Sequence, residues 1–279
     1  MLTLANMYHP ITATPFCNNE SYCEIPPCNA LKPYIRCFWG DTKPLTSRPN
    51  GCTPGLIIPD TCMDIIFDVN YSRNDCQGIF CALDEHSYQI SNRSQSKELT
   101  ASFAIRFYAW SAIAFTEQDL RGSKNQTFQM EYFFEQLKRE LAPLLFDAPT
   151  LQEKAKIAES FLLMHLNPNR IKNDFLNAVY YILSNEGRTK ISDVCNYALL
   201  SEKQLERSFQ YHMGISPKTF SSLVRYQLLW QGMILSPRFN ILDAVDKYGY
   251  TDQSHLLRDF KSRHLITPTE ALRLAHKCR

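Results

Sequence analysis

The chain has 279 residues, 44% of them hydrophobic and 21% charged, with 9 Gly and 15 Pro. Those values suit a globular chain of two domains and exclude a disordered, collagen-like or fibrous one. No apolar run reaches the length of about eighteen residues that a membrane span needs, and Met1 to Pro15 lacks the basic and apolar regions of a signal peptide, so neither a membrane nor a secreted location is expected. The formal charge of +2 divides unevenly: residues 170–279 carry 16 Lys and Arg against 10 Asp and Glu, and residues 1–169 carry 14 against 18. The C-terminal half is the one suited to a polyanion.

Ten Cys occur, and eight of them lie early, at Cys17, Cys23, Cys28, Cys37, Cys52, Cys62, Cys76 and Cys81, with Cys195 and Cys278 later. No Cys-x-x-Cys and no Cys pair followed by a His pair is present, so a structural zinc site is not indicated. Reduced thiols are expected, with a thiol or metal sensor built from the early cluster as the alternative. Residues 30 to 110 read as β. Apolar runs at Tyr34–Trp39, Leu56–Pro59, Asp64–Val69, Gly78–Leu83 and Ala101–Tyr108 are separated by turn residues, and such spacing suggests a small barrel or sandwich.

From Met130 the period lengthens. Phe133, Leu137 and Leu141 form one helical stripe, and Leu151, Ala155, Ala158, Phe161, Leu162 and Leu166 form a second behind a Thr150 N-cap. Either the strand domain or a second copy covers these stripes; the dimerisation reading assigns them to residues 129–168. Asn167-Pro168-Asn169-Arg170 reads as a linker, and everything beyond it as helix.

An internal repeat dominates the last hundred residues. Leu205-Glu206-Arg207-Ser208-Phe209 recurs as Leu256-Leu257-Arg258-Asp259-Phe260, and Ser216-Pro217 recurs as Thr267-Pro268. Each copy reads as helix–turn–helix. Ser201 and Asp252 are set to cap the second helix of each pair, and Gly249 to make the second turn. Leu205, Phe209, Leu256 and Phe260 point inward. The outward set, with Ser201, Lys203, Gln204, Glu206, Arg207 and Lys218 in the first copy and Gln253, Ser254, His255, Arg258 and Lys261 in the second, suits major-groove and phosphate contacts, or else a solvated helix surface. The intervening apolar-periodic segment, Phe220 to Leu235, is a rod of ~24 Å. It suits two reading helices about one DNA turn, ~34 Å, apart.

These residues resemble the AraC/XylS family of transcription regulators over about Ile171 to Leu274. The resemblance is carried by Gly249-Tyr250-Thr251-Asp252-Gln253-Ser254-His255-Leu256, Arg258-Asp259-Phe260-Lys261 and Thr267-Pro268, and in the first copy by Ser201, Leu205, Arg207-Ser208-Phe209 and Gly214-Ile215-Ser216-Pro217. Leu199 and Leu265 stand where that family usually has Gly, and Cys195 and Val245 where it has Ala. Leu31-Lys32-Pro33-Tyr34, Cys37-Phe38-Trp39-Gly40, Ile58-Pro59-Asp60, Asp64-Ile65-Ile66-Phe67 and Ala104-Ile105-Arg106-Phe107-Tyr108 resemble an accessory domain of some members. The resemblance implies an α+β chain: a cupin-like, effector-sensing β domain over residues 1–128, the helical segment, and a double helix-turn-helix DNA-binding domain over residues 171–279. It further implies a homodimer in the bacterial cytoplasm, with double-stranded DNA, an unknown small-molecule effector and RNA polymerase as partners.

An enzyme is not indicated. Only His9 and His86 precede residue 130, no His-x-His exists, and neither a Gly-rich phosphate loop nor Gly-x-Ser-x-Gly is present, so no cofactor or catalytic residue is assigned. A DNA-repair methyltransferase fused to the same module is the remaining alternative. Trp39, Asp64, Phe67 and Arg106 are the candidate effector residues. Arg106 in an apolar strand suits either an anionic ligand or an internal pair with Asp64.

Overall fold

In the computed structural model the described residues are 2–13, 15, 22–46, 56–89, 98–236 and 239–277. Cys17, Cys52 and Cys278 lie outside them. Ahead of the sheet comes a short helix α1 (Leu2–Met7). The strands are β1 (Cys23–Ile25), β2 (Ile35–Gly40), β3 (Leu56–Ile57), β4 (Cys62–Asn70), β5 (Asp75–Cys81), β6 (Tyr88–Gln89), β7 (Thr100–Tyr108) and β8 (Thr127–Gln129). The helices that follow are α2 (Glu131–Asp147), α3 (Leu151–His165), α4 (Asn173–Ser184), α5 (Ile191–Ala198), α6 (Glu202–Met213), α7 (Pro217–Leu235), α8 (Ile241–Lys247), α9 (Gln253–His264) and α10 (Pro268–Lys277). The chain is therefore α+β, with an antiparallel sheet domain first and a helical domain after it.

Six strands form one sheet in the order β1-β2-β7-β4-β5-β8, and β3 pairs with β6 in a separate ribbon. The two-residue period of a strand gives the sheet two unlike faces. Phe38, Ile65, Phe67, Phe80, Phe103 and Ile105 share the apolar face and are fully buried. α2 lies on that face. It departs from helical geometry at Phe134 (φ −141°, ψ 52°), and the consecutive rings of Phe133 and Phe134 both reach Phe80, at 5.2 and 5.1 Å. The opposite face carries Cys37, Arg106, Asp64 and Cys81, aligned across β2, β7, β4 and β5.

Thr150 caps α3 in a reciprocal box. Its hydroxyl accepts from the Glu153 amide at 3.2 Å, and the Glu153 carboxylate accepts from the Thr150 amide at 3.1 Å. Phe161 and Leu162 are buried in the chain's own core. They are not available to a second copy. The segment after α3 is not a free linker either. The Asn167 amide donates to the Ala114 carbonyl at 3.0 Å, and the Arg170 guanidinium donates to the Glu117 and Gln118 carbonyls at 3.2 and 2.9 Å.

Candidate nucleic-acid interface and effector face

The repeat folds as two helix-turn-helix units that share α7. Phe220 to Val224 belong to the core that runs from the sheet into α4, α5 and α6, while Tyr226 to Ile234 belong to the core of α8, α9 and α10. At 19 residues α7 is ~28 Å long. Both α6 and α9 have 12 residues. The fourth and eighth of each, Leu205 and Phe209, Leu256 and Phe260, are fully buried. The sixth of each, Arg207 and Arg258, is exposed. Ser216-Pro217 and Thr267-Pro268 also play one role, as N-cap and first residue of α7 and α10.

The N-termini of α6 and α9 are fixed by their own side chains. Ser201 Oγ accepts from the Gln204 amide at 3.3 Å and Gln204 Oε1 accepts from the Ser201 amide at 2.9 Å. Asp252 Oδ1 accepts from the His255 amide at 2.7 Å. Gln204 and His255 thus hold the helix start, His255 through a 3.0 Å contact between its Nδ1 and Thr251 Oγ1. Glu206 accepts from Gln210 Nε2 at 3.2 Å. Lys203, Arg207, Gln253, Ser254, Arg258 and Lys261 are exposed on the outer faces, and Lys218 is exposed in the first turn of α7. Leu199 and Leu265, where the family usually has Gly, both adopt left-handed backbone, with φ 56° and 63°. The turn geometry survives the change of residue.

On the polar face of the sheet, Arg106 Nε and Nη2 each donate to the Asp64 carboxylate at 2.9 Å, and Nη1 lies 3.7 Å from Asp60 Oδ2. Trp39 Nε1 donates to Asp64 Oδ1 at 2.9 Å. Burial pushes the Asp60 carboxyl up to about 6, against the pull of Arg106. Arg106 thus faces two carboxyl groups, which offset its charge. Of the two partners open to Arg106 in the sequence, the internal one is present. Trp39, Asp64 and Arg106 come together; Phe67, three residues beyond Asp64, points into the apolar core on the other face. No His, Cys, Asp and Glu group suited to a metal ion occurs among the described residues.

The contact between the two domains is not legible in any local sequence pattern. The Gln227 side chain is fully buried on α7. Its Oε1 accepts from the Ile11 amide at 2.9 Å and its Nε2 donates to the Pro59 carbonyl at 3.0 Å. Trp230 Nε1 donates to the Thr12 carbonyl at 3.0 Å. Arg263 is buried, donating to Asp259, Ser222 and the Glu85 carbonyl at 3.1, 2.6 and 3.2 Å. A polar Gln in the apolar stripe of a helix signals a buried polar partner without naming it.

Residues 194–273 match the family described as a helix-turn-helix domain, and residues 23–129 match a domain of unknown function, DUF6597. No curated protein matches the chain. Among solved structures, a probable AraC family transcriptional regulator from Rhodopseudomonas palustris is similar at 24% identity over 37% of this chain and 98% of its own, with a TM-score of 0.33. A regulator with an AraC-type DNA-binding domain from Chromobacterium violaceum is similar at 21% identity over 37% of this chain and 91% of its own, TM-score 0.34. ToxT from Vibrio cholerae, bound to an unsaturated fatty acid, is similar at 12% identity over 92% of this chain and 96% of its own, TM-score 0.41. The matched segment and the paired units define a helix-turn-helix module with two such units. The chain is a DNA-binding transcription regulator in which that module follows a separate β-rich domain.

Proposed function

We propose that the chain reads an operator in the major groove through α6 and α9 together, and that it is a regulator rather than an enzyme. The observation that carries this reading is the match between the two helices: equal length, N-capped starts, buried fourth and eighth residues, and an exposed Arg at the sixth position. Arg207 and Arg258 are the base-reading residues, each suited to a bidentate guanine contact. Lys203, Glu206, Gln253, Ser254 and Lys261 flank them. Lys218, at the Ser216-capped start of α7, suits a phosphate. Ser201, Gln204 and His255 position the helix starts. Selection of bound DNA by the full chain tests this. Arg207→Ala and Arg258→Ala are expected to relax base preference in different parts of one site, and Lys218→Ala to weaken all sequences alike. Unchanged preference in both Arg variants contradicts it.

The polar face of the sheet, with Trp39 beside the Arg106–Asp64 pair, is the proposed effector side. A second copy is the proposed partner of the helical segment, through Met164 (74% exposed) and Leu163 (45% exposed) on α3. RNA polymerase is a further proposed partner. The cytoplasm is the compartment that fits a DNA ligand, and no helix among the described residues is long and apolar enough to cross a membrane.

A further inference from the structure

The last carbonyls of any helix lack partners within it, and something else must satisfy them. In both reading helices that partner comes in part from the β domain. At the end of α6 the Leu120 amide donates to the Tyr211 carbonyl at 3.0 Å. The approach there is close enough that a side chain at Gly214 would run into the Leu120 carbonyl and the Ser123 hydroxyl. At the end of α9 the Ser87 amide donates to the Arg263 carbonyl at 2.9 Å, the Ser87 hydroxyl donates to the same oxygen, and His86 Nδ1 lies 3.3 Å from the Ser262 carbonyl. Between the two, Glu85 accepts from Thr219 Oγ1 of α7 at 3.1 Å and is held within its own domain by Lys124 at 2.7 Å. One rigid sheet domain therefore grips both reading helices by their C-termini, while their exposed faces stay clear of it.

We propose that the β domain is part of the reading apparatus: by capping α6 and α9 together it fixes their separation and relative rotation, and so determines which spacing between the two half-elements of the operator is bound. The residues that set this specificity, Glu85, His86, Ser87 and Leu120, lie outside the DNA-binding domain and act as positioning residues. The inference rests on the two-helix reading above. One base pair inserted between the half-elements moves them apart by ~3.4 Å and rotates one about the duplex by ~35°. A braced pair of helices does not follow that displacement; a pair joined by α7 alone bends to it.

The test uses the full-length protein and its selected operator with one base pair removed, unchanged, or added between the half-elements. The wild type is expected to lose about tenfold or more in affinity at either altered spacing, comparable with a mismatched base pair. The variant Ser87→Pro, which removes both the amide and the hydroxyl that cap α9, is expected to bind the three spacings within about threefold of one another. A variant that binds all three more weakly but keeps the wild-type ranking and ratios overturns the proposal, since general destabilisation gives that pattern. Should Ser87→Pro fail to fold, Gly214→Ala, whose Cβ would run into the Leu120 carbonyl and part the β domain from the end of α6, carries the same readout and the same two outcomes. A wild type indifferent to spacing overturns the brace while leaving sequence reading intact. A wild type that selects only one half-element defeats the two-helix reading and the brace with it.

Discussion

Replacing Leu199 by Gly should stabilise the protein, although it removes a large side chain. Leu199 ends α5 in left-handed backbone, φ 56° and ψ 41°, with its amide donating to the Cys195 carbonyl. A Cβ in that region costs roughly 1–2 kcal/mol, which Gly avoids. Against this, Gly gives the unfolded chain more freedom, about 0.4–1 kcal/mol. Packing adds almost nothing, because Leu199 is 90% exposed. The net gain is about 0.5–1 kcal/mol, or a rise in Tm of roughly 1–4 °C for a chain of this size. Leu265 supplies the control within the same fold. Its φ is 63°, but it is only 46% exposed. Losing half of a leucine's burial costs about 1 kcal/mol, so Leu265→Gly should change stability little or lower it. Leu163→Gly, in the last turn of α3 and 45% exposed, should cost about 1–2 kcal/mol through lost burial and helix propensity together. Thermal and urea unfolding of the three variants read the order directly. A Leu199→Gly protein destabilised as much as the Leu163→Gly one refutes the reasoning, since Leu199 would then contribute packing or helical backbone that outweighs its strain.

His212 and His264 are buried, and burial lowers their imidazoles to about 4 and about 3. Both are neutral in the folded chain, while the unfolded chain takes up protons below ~6.5. Stability from these groups is therefore complete above pH 6.5 and falls as the pH is lowered toward 4, by about 1.4 kcal/mol per histidine per pH unit. Asp60, raised to about 6, works in the opposite direction, because its protonated form is favoured in the fold. An NMR titration in which either histidine ring protonates near 6.5 contradicts the assignment. Phe161→Glu and Leu162→Glu should unfold the protein and not merely dissociate it, because both side chains are core; circular dichroism separates the two outcomes. Met164→Glu, on the exposed side of the same helix, should keep the fold and shift a dimer to monomer in sedimentation; an unchanged mass removes α3 from the interface. Asp64→Ala should be strongly destabilising, by about 3–5 kcal/mol, because it leaves the largely buried Arg106 guanidinium with only the more distant Asp60; a loss below about 1 kcal/mol, read from urea unfolding, means that solvent already screens the pair.

What the sequence made legible was local. Ser201, Thr150 and Asp252 are caps because a hydroxyl or carboxylate needs only to reach an amide two or three residues on, and spacing alone reports that. The repeat was legible because Leu205, Phe209 and their counterparts fall four apart around an outward Arg. Phe67 belonged to another face for a reason the sequence also held: three residues from Asp64 is an odd number, and a strand alternates. The partner of Arg106 was different. Asp64 is set by strand register across β4 and β7, which no local pattern states. The stripe of α3 announced that Phe161 and Leu162 are buried without saying what buries them. The brace was least visible of all. Its bonds join residues 87 to 263 and 120 to 211 through backbone atoms, and backbone donors leave no mark in a sequence.

The central claim is that two equivalent helices read one operator together. Selection of randomised duplex DNA by the full-length protein, repeated with Arg207→Ala and with Arg258→Ala, tests it most directly. The wild type should return two short elements about one helical turn, ~10 base pairs, apart. Each variant should lose guanine preference in one element and keep the other. A wild-type selection that returns a single element, or two Arg variants that lose the same base position, contradicts the account.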